Sequence, residues 1–160
     1  MIRIAVLTVS DGVAHGTRDD ASGAAVVAWA ERLGWGLVER EVVPDETAEI
    51  AARLSRWADG GGVDVILTLG GTGFGPRDVT PEATSAVVQR PAPGLAEALR
   101  ADGVTRTPYA MLSRGRAGIR GRTLIVNLPG SEKAVREGLE LLADVIPHAV
   151  DLLYGRTEHA

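Results

Sequence analysis

Val63-Asp64-Val65-Ile66-Leu67-Thr68-Leu69, followed directly by Gly70-Gly71-Thr72-Gly73-Phe74-Gly75-Pro76-Arg77-Asp78, is the stretch that decides the fold. The first seven residues are apolar on both faces apart from Asp64 and Thr68, which is the composition of a central parallel strand covered on both sides. The nine that follow are rich in glycine, and glycine permits backbone conformations that turn successive N–H groups toward one anion. Beyond them Thr80 offers an N-cap and Pro81 suits a first helical turn, so a helix is expected to start there.

Working outward, the same alternation repeats. Upstream, residues 2–9 read as an apolar strand, residues 10–20 as a polar loop with Gly12 and Gly16, and residues 21–33 as an alanine-rich helix stopped by Gly34. Residues 38–43 give a second strand broken by Pro44 and Asp45. Residues 46–58 return to helical spacing through Ile50, Leu54 and Trp57. Downstream, residues 93–102 read as a helix and 108–113 as a short helical turn, and Gly121 between two arginines marks a tight turn into a strand at 123–128. Pro129 and Gly130 end that strand, Ser131 caps a helix at 132–142, and a last helix spans 144–153. The expectation is an α/β fold: a mainly parallel sheet with helices on both faces, in one domain over residues 1–154 with a tail at 155–160. Ligands of such sheets bind beyond the carboxyl ends of the strands, so the loops after Val9, Val43, Leu69 and Leu128 should share one rim.

Composition narrows the function. The 160 residues are 45% hydrophobic, enough for one core and short for two domains. With 21 acidic against 17 basic side chains the net charge is −4, which disfavours a polyanion held through its phosphates and sets nucleic-acid binding aside. An acidic chain can still hold one small phosphorylated ligand if backbone N–H groups or a bridging metal ion supply positive charge. The absence of cysteine removes disulfides, zinc–thiolate and iron–sulfur sites and thiol nucleophiles, and fits a reducing cytoplasm. The apolar run at residues 4–7 is too short for a signal peptide or a membrane span, and no other stretch approaches membrane length.

The rim loops carry the candidate chemistry. Residues 70–73 read as a phosphate cradle or as a glycine turn that binds nothing. The Walker tripeptide is missing, and Pro76 stands where the dinucleotide fingerprint needs its third glycine. Asp78 closes this loop and Asp45 sits at the tip of the preceding one. Two carboxylates beside a phosphate cradle suit Mg²⁺, which takes oxygen ligands and bridges carboxylates to phosphates, although Asp45 alone also reads as a helix cap or turn residue. Ser10 and Asp11 read as a turn, and Asp20, Ser22 and Gly23 as a helix start. Ser113 with Arg114 offers a hydroxyl and a guanidinium fork to a phosphate, or simply a solvated arginine. The turn Asn127-Leu128-Pro129-Gly130-Ser131 is a second place for an anion or a polar ring edge. His15, His148 and His159 have no metal-ligand spacing, and no G-x-S-x-G elbow exists. Trp29, Trp35 and Trp57 read as packing residues, and an aromatic content of 4% is thin for a nucleic-acid platform.

Thr68-Leu69-Gly70-Gly71-Thr72-Gly73 and Asp78-Val79-Thr80-Pro81-Glu82-Ala83, with Val43-Pro44-Asp45-Glu46 before them and Leu112-Ser113-Arg114 and Asn127-Leu128-Pro129-Gly130 after, resemble the MogA/MoaB-type molybdopterin adenylyltransferases, whose domain also occurs in gephyrin and plant Cnx proteins. The resemblance runs from Ile4 to about Leu153, includes Ser10-Asp11 and Asp20-Ala21-Ser22-Gly23, and keeps the motifs in order. It implies a three-layer α/β/α sandwich and a Mg²⁺-dependent reaction of molybdopterin with ATP that gives adenylylated molybdopterin and pyrophosphate. It places Asp45 and Asp78 on the family's metal and catalytic aspartates. Ser10, Asp11, Ser22, Gly70, Gly71, Thr72, Gly73, Thr80, Glu82, Ser113, Arg114, Pro129, Gly130 and Ser131 fall in its nucleotide and pterin site. One departure is Glu132, where many relatives carry a second proline. A homotrimer is implied, with hexamers among MoaB members, as is a downstream molybdenum insertase that receives the product. A noncatalytic molybdopterin carrier or assembly protein of the MoaB type is the competing reading.

Overall fold

A computed structural model describes residues 1–156. In chain order the elements are β1 (Arg3–Val9), α1 (Asp11–Ala14), α2 (Ala21–Leu33), β2 (Gly36–Val43), α3 (Thr47–Asp59), β3 (Val65–Leu69) and α4 (Thr80–Val87). The second half adds β4 (Arg90–Pro91), α5 (Pro93–Val104), a short 3₁₀ helix (Pro108–Leu112), β5 (Ala117–Arg120), β6 (Thr123–Leu128), α6 (Glu132–Ala143) and α7 (Ile146–Leu153).

All six strands form one sheet in the order β2-β1-β3-β6-β5-β4. The first four of that order are parallel, while β5 runs antiparallel to β6 and to β4. From β1 the chain steps outward to β2 and then returns to the other side of β1 as β3, so the winding reverses between β1 and β3. A crevice opens beyond the strand ends at such a reversal.

Period-two alternation sends each strand's residues to opposite layers. Ile4 and Val6 of β1 join Val65, Leu67 and Leu69 of β3 in a core closed by α2, α6 and α7. Ala5, Leu7 and Val9 face the other way and join Ile66 and Ile125 against α3 and α4. The helices bury narrow stripes: Ile50, Leu54 and Trp57 in α3, and Val135, Leu139 and Leu142 in α6. A buried amide fastens α4 to the sheet. Asn127 Nδ2 donates to Thr68 Oγ1 at 2.8 Å and Thr84 Oγ1 at 2.9 Å, and its Oδ1 accepts from the Arg116 N–H at 3.0 Å. The sandwich anticipated from the sequence is the architecture found. Among the described residues no helix is long and apolar enough to cross a membrane.

Several local expectations change. The loop expected at residues 10–20 contains the single turn α1, because the Ser10 hydroxyl accepts from the Val13 N–H at 3.2 Å and caps it. Thr80 is not the cap of α4. Val79 occupies that position, and the Thr80 hydroxyl turns inward to donate to the Gly70 carbonyl at 2.9 Å. The strand expected from Val63 begins at Val65, because Asp64 is a buried carboxylate that accepts from the N–H and guanidinium of Arg3. β2 begins at Gly36 rather than Val38, since pairing with Arg3 extends it. The two-residue β4 was not anticipated, being too short and too exposed to carry a pattern. Ser131 does cap α6, its hydroxyl accepting from the Ala134 N–H at 3.3 Å, with Glu132 in the first turn. Of the tail, Arg156 bonds back to Asp151, while residues 157–160, His159 among them, lie outside the described residues.

Candidate active site

The loops after β1, β2, β3 and β6 meet at the crevice. Ser10 N–H donates to the Val43 carbonyl at 3.0 Å, and Gly70 N–H to the Leu128 carbonyl at 3.0 Å. Two aspartates then clasp each other. The Asp11 N–H donates to Asp45 Oδ2 at 2.8 Å, and the Asp45 N–H donates to Asp11 Oδ1 at 2.9 Å. The β1 and β2 exits are thereby locked together, and Asp45 is held over the turn that leaves β3.

That turn requires glycine. Gly70 and Gly71 both have positive φ, 101° and 69°. A Cβ on Gly70 would collide with the Val9 carbonyl; one on Gly71 would collide with the Thr80 hydroxyl and lie only 3.2 Å from Asp45 Oδ1. Only a residue without a side chain lets the β3 exit lie this close to the end of β1. Further on, Asp78 pulls the loop onto itself. Its Oδ2 accepts from the Gly75 N–H at 2.9 Å, and its own N–H donates to the Gly75 carbonyl at 3.0 Å.

Asp45 and Asp78 therefore face one rim. Burial pushes the Asp45 carboxyl above its ordinary value, the Asp11 N–H works against this, and the charges of Asp11 and Asp78 raise it further. Asp11 moves the opposite way, held down by the Arg77 guanidinium and by the Asp45 N–H. Asp45 Oδ1 accepts no hydrogen bond among the described residues, nor does Asp78 Oδ1. Two open carboxylate oxygens, one destabilised by neighbouring negative charge, fit a Mg²⁺ ion, which needs only one or two protein carboxylates alongside phosphate and water.

On the other side of residues 70–73 lies a cavity of about 400 Å³ between α5, the 3₁₀ helix and α6. Its walls are largely apolar, including Ala96, Leu99 and Leu112, and Thr72, Ser113 and Ser131 bring hydroxyls to it. Of the residues singled out in the sequence, Gly73 and Pro129 also line it. The volume falls within the range of small-molecule sites, which commonly combine apolar walls with a few polar groups.

Other singled-out residues support the site from behind. The Arg114 backbone N–H donates to the Thr72 carbonyl at 2.7 Å. Its guanidinium bonds the Gly73 and Asp78 carbonyls, both at 2.8 Å, and pairs with Glu82 at 2.7 Å. Arg114 and Glu82 thus form a staple that closes the glycine loop. The Ser22 hydroxyl donates to the Gly130 carbonyl at 2.6 Å, Gly130 rests against Gly70, and the buried Thr80 hydroxyl is engaged with Gly70. Sequence reasoning passed over Arg77, which spans the rim to bond Asp11 at 3.1 Å and Glu46 at 3.0 Å. Its signal was a lone cation between the acidic loop ends. The α5 wall of the cavity, whose apolar part is Ala96 and Leu99, was also missed.

Comparison with known proteins follows the same outline. The family profile described as "Probable molybdopterin binding domain" matches residues 5–148. A molybdopterin adenylyltransferase of Helicobacter pylori is 41% identical over 156 residues, covering 96% of this chain and 89% of that one. The cinnamon protein of Drosophila melanogaster, a molybdenum cofactor synthesis protein, is 44% identical over 153 residues; these cover 95% of this chain and only 26% of that protein. The chain likewise spans about half, 49%, of a bifunctional molybdenum cofactor biosynthesis protein from Chlorobaculum tepidum. Among solved structures, the molybdopterin biosynthesis enzyme MoaB of Thermus thermophilus superposes with a TM-score of 0.91 at 50% identity, covering 97% of this chain and 98% of that one. The Mog protein of Mycobacterium ulcerans does so with a TM-score of 0.89 at 42% identity, covering 96% and 99%. The chain belongs to the MogA/MoaB family of molybdopterin-binding domains.

Proposed function

We propose that this protein acts in molybdenum cofactor biosynthesis by transferring the adenylyl group of ATP to molybdopterin. An oxygen of the pterin's terminal phosphate forms a bond to the α-phosphorus of ATP while the bond from that phosphorus to the β-phosphate bridge breaks, and pyrophosphate leaves. The observation that carries the reading is the juxtaposition of two carboxylates with open oxygens and a glycine turn at the strand reversal, with a pterin-sized cavity directly across that turn.

Attack of one phosphate on another is opposed by like charge, so the task is alignment and neutralisation, and no protein nucleophile is required. Asp45 and Asp78 would hold Mg²⁺, which when bound neutralises phosphate charge. The turn at residues 70–73 receives the nucleotide phosphates through its backbone, and its side-chain-free surface admits close approach. Arg114 and Glu82 keep that loop in one shape, so that the phosphates meet fixed dipoles and no loop rearrangement is needed. The apolar cavity wall excludes water around the pterin. Support also comes from the adenylyltransferase named among the relatives, which this chain matches over most of both lengths.

The test is molybdopterin-dependent pyrophosphate release by the purified protein with ATP and Mg²⁺. Asp78→Asn should lower turnover by about 10²-fold or more, the scale of losing one electrostatic stabiliser of the transition state, while molybdopterin still binds. Near-normal turnover in Asp78→Asn would remove that carboxylate from the mechanism. Pterin binding without any pyrophosphate release by the wild type would favour a carrier.

A further inference from the structure

Four cations stand near the cavity, and three have partners. Arg114 is engaged with loop carbonyls and Glu82, as described above. Arg100 donates through Nη1 to the Gly115 carbonyl at 2.7 Å and to the Ser113 carbonyl at 3.3 Å. Arg106 pairs with Asp102 at 2.6 Å and with Glu137 at 2.7 Å. The fourth is Lys133, on the cavity wall in the first turn of α6, and it has no hydrogen bond or ion pair among the described residues. It is also the chain's single lysine among 17 basic side chains.

The isolation of Lys133 follows from its neighbours. Glu137, one helical turn onward, is the carboxylate within its reach, but it sits in the less favourable orientation for a lysine at i and is already bonded to Arg106. Glu132 is bonded to Arg136 at 2.7 Å. Lys133 also stands at the positive end of the α6 dipole, where a cation is disfavoured unless an anion joins it. The cavity thus presents apolar walls for a ring system and one uncommitted positive charge on its wall.

We propose that Lys133 is the anion anchor of this cavity and receives the phosphate monoester of the pterin substrate. The assignment rests on the adenylyl-transfer reading, and it gives the pterin phosphate a cation that Arg114, tied into the loop, does not supply. A lysine ammonium is a compact, rotatable point charge, suited to follow a phosphate that must move toward the nucleotide.

Because the chain has one lysine, labelling with lysine carrying ¹³C at Cε gives a single side-chain resonance assigned without ambiguity. Titration with molybdopterin in the absence of ATP should shift that resonance to saturation, and ATP with Mg²⁺ alone should leave it in place. Lys133→Met should raise the KM for molybdopterin about tenfold, the scale of one charge-assisted contact, with the KM for ATP within twofold and the melting temperature unchanged; Lys133→Arg should restore most of the loss. A static resonance while the wild type binds and adenylylates molybdopterin would overturn the anchor and leave the reaction standing. A shift driven by ATP rather than by the pterin would overturn it as well. Failure of the wild type to bind molybdopterin at all would overturn the functional reading and this proposal together.

Discussion

Alanine at Gly71 should cost stability by two separable routes. Its φ of 69° lies in the left-handed region, where an L-residue with a Cβ loses about 1–2 kcal/mol. The new Cβ would also overlap the Thr80 hydroxyl, which donates to the Gly70 carbonyl in a buried setting. Displacing that hydroxyl strands a buried polar group at about 1–3 kcal/mol. The sum is about 2–5 kcal/mol, or a fall in melting temperature of roughly 5–15 °C for a chain of this size. Gly61 is the control, since its φ of 77° is equally left-handed but a Cβ there would meet nothing within 4 Å; Gly61→Ala should lose only the conformational part. Urea and thermal unfolding of both variants, together with Gly71→Ala in a Thr80→Ala background, form a cycle in which removing the hydroxyl recovers the collision energy. Equal losses at Gly71 and Gly61 would refute the close packing of the β3 exit against α4.

Further outcomes follow from the same geometry. Arg114→Lys keeps the charge but cannot bond two loop carbonyls and Glu82 together. We expect the KM for ATP to rise about tenfold in steady-state kinetics, with stability lowered only modestly because the pair is partly exposed; an unchanged KM would contradict the staple. Trp57 is buried, yet its indole N–H has no acceptor among the described residues. Trp57→Phe should therefore change unfolding free energy by no more than about 1 kcal/mol, against about 3–5 kcal/mol for Trp57→Ala. For Asp64, burial raises the carboxyl, but hydrogen bonds from Arg3 and Tyr154 outweigh it and hold the value below normal. Its contribution should be present above about pH 4 and be lost as pH falls through the depressed folded value, so the stability gap between wild type and Asp64→Asn should close in acid. Asp45 has the opposite sign. Its folded value is raised, so ionisation at neutral pH opposes folding; Asp45→Asn should be the more stable protein there, and the gap should vanish as pH falls through that raised value.

Much of this arrangement is legible in the sequence because it depends on local chemistry. The run at Val65–Leu69, apolar but for Thr68, and the glycines after it required a buried strand and a close turn, and both are present. Asp45 and Asp78 were expected on one rim because parallel strands deliver their exits to one edge, and the Coulombic effect of Asp78 on Asp45 reflects that proximity. What stayed hidden depends on contacts distant in sequence. Arg114 reads as a free fork until the carbonyls of Gly73 and Asp78 are seen around it, more than thirty residues away in sequence. Thr80 reads as a cap because threonine caps helices, but a buried carbonyl at Gly70 competes for its hydroxyl and wins. The cavity wall from α5 escaped notice because its few apolar residues form no strong stripe, and a void between helices leaves no periodicity in the chain.

In the proposed reaction phosphate is joined to phosphate at this crevice. Incubation of the purified protein with molybdopterin, ATP and Mg²⁺, followed by mass spectrometry of the pterin, tests it most directly. The expected product is a pterin heavier by one adenylyl group, formed in step with pyrophosphate and missing when Asp45 and Asp78 are both replaced by asparagine. Molybdopterin recovered at its original mass, from a protein that binds both substrates, would contradict it.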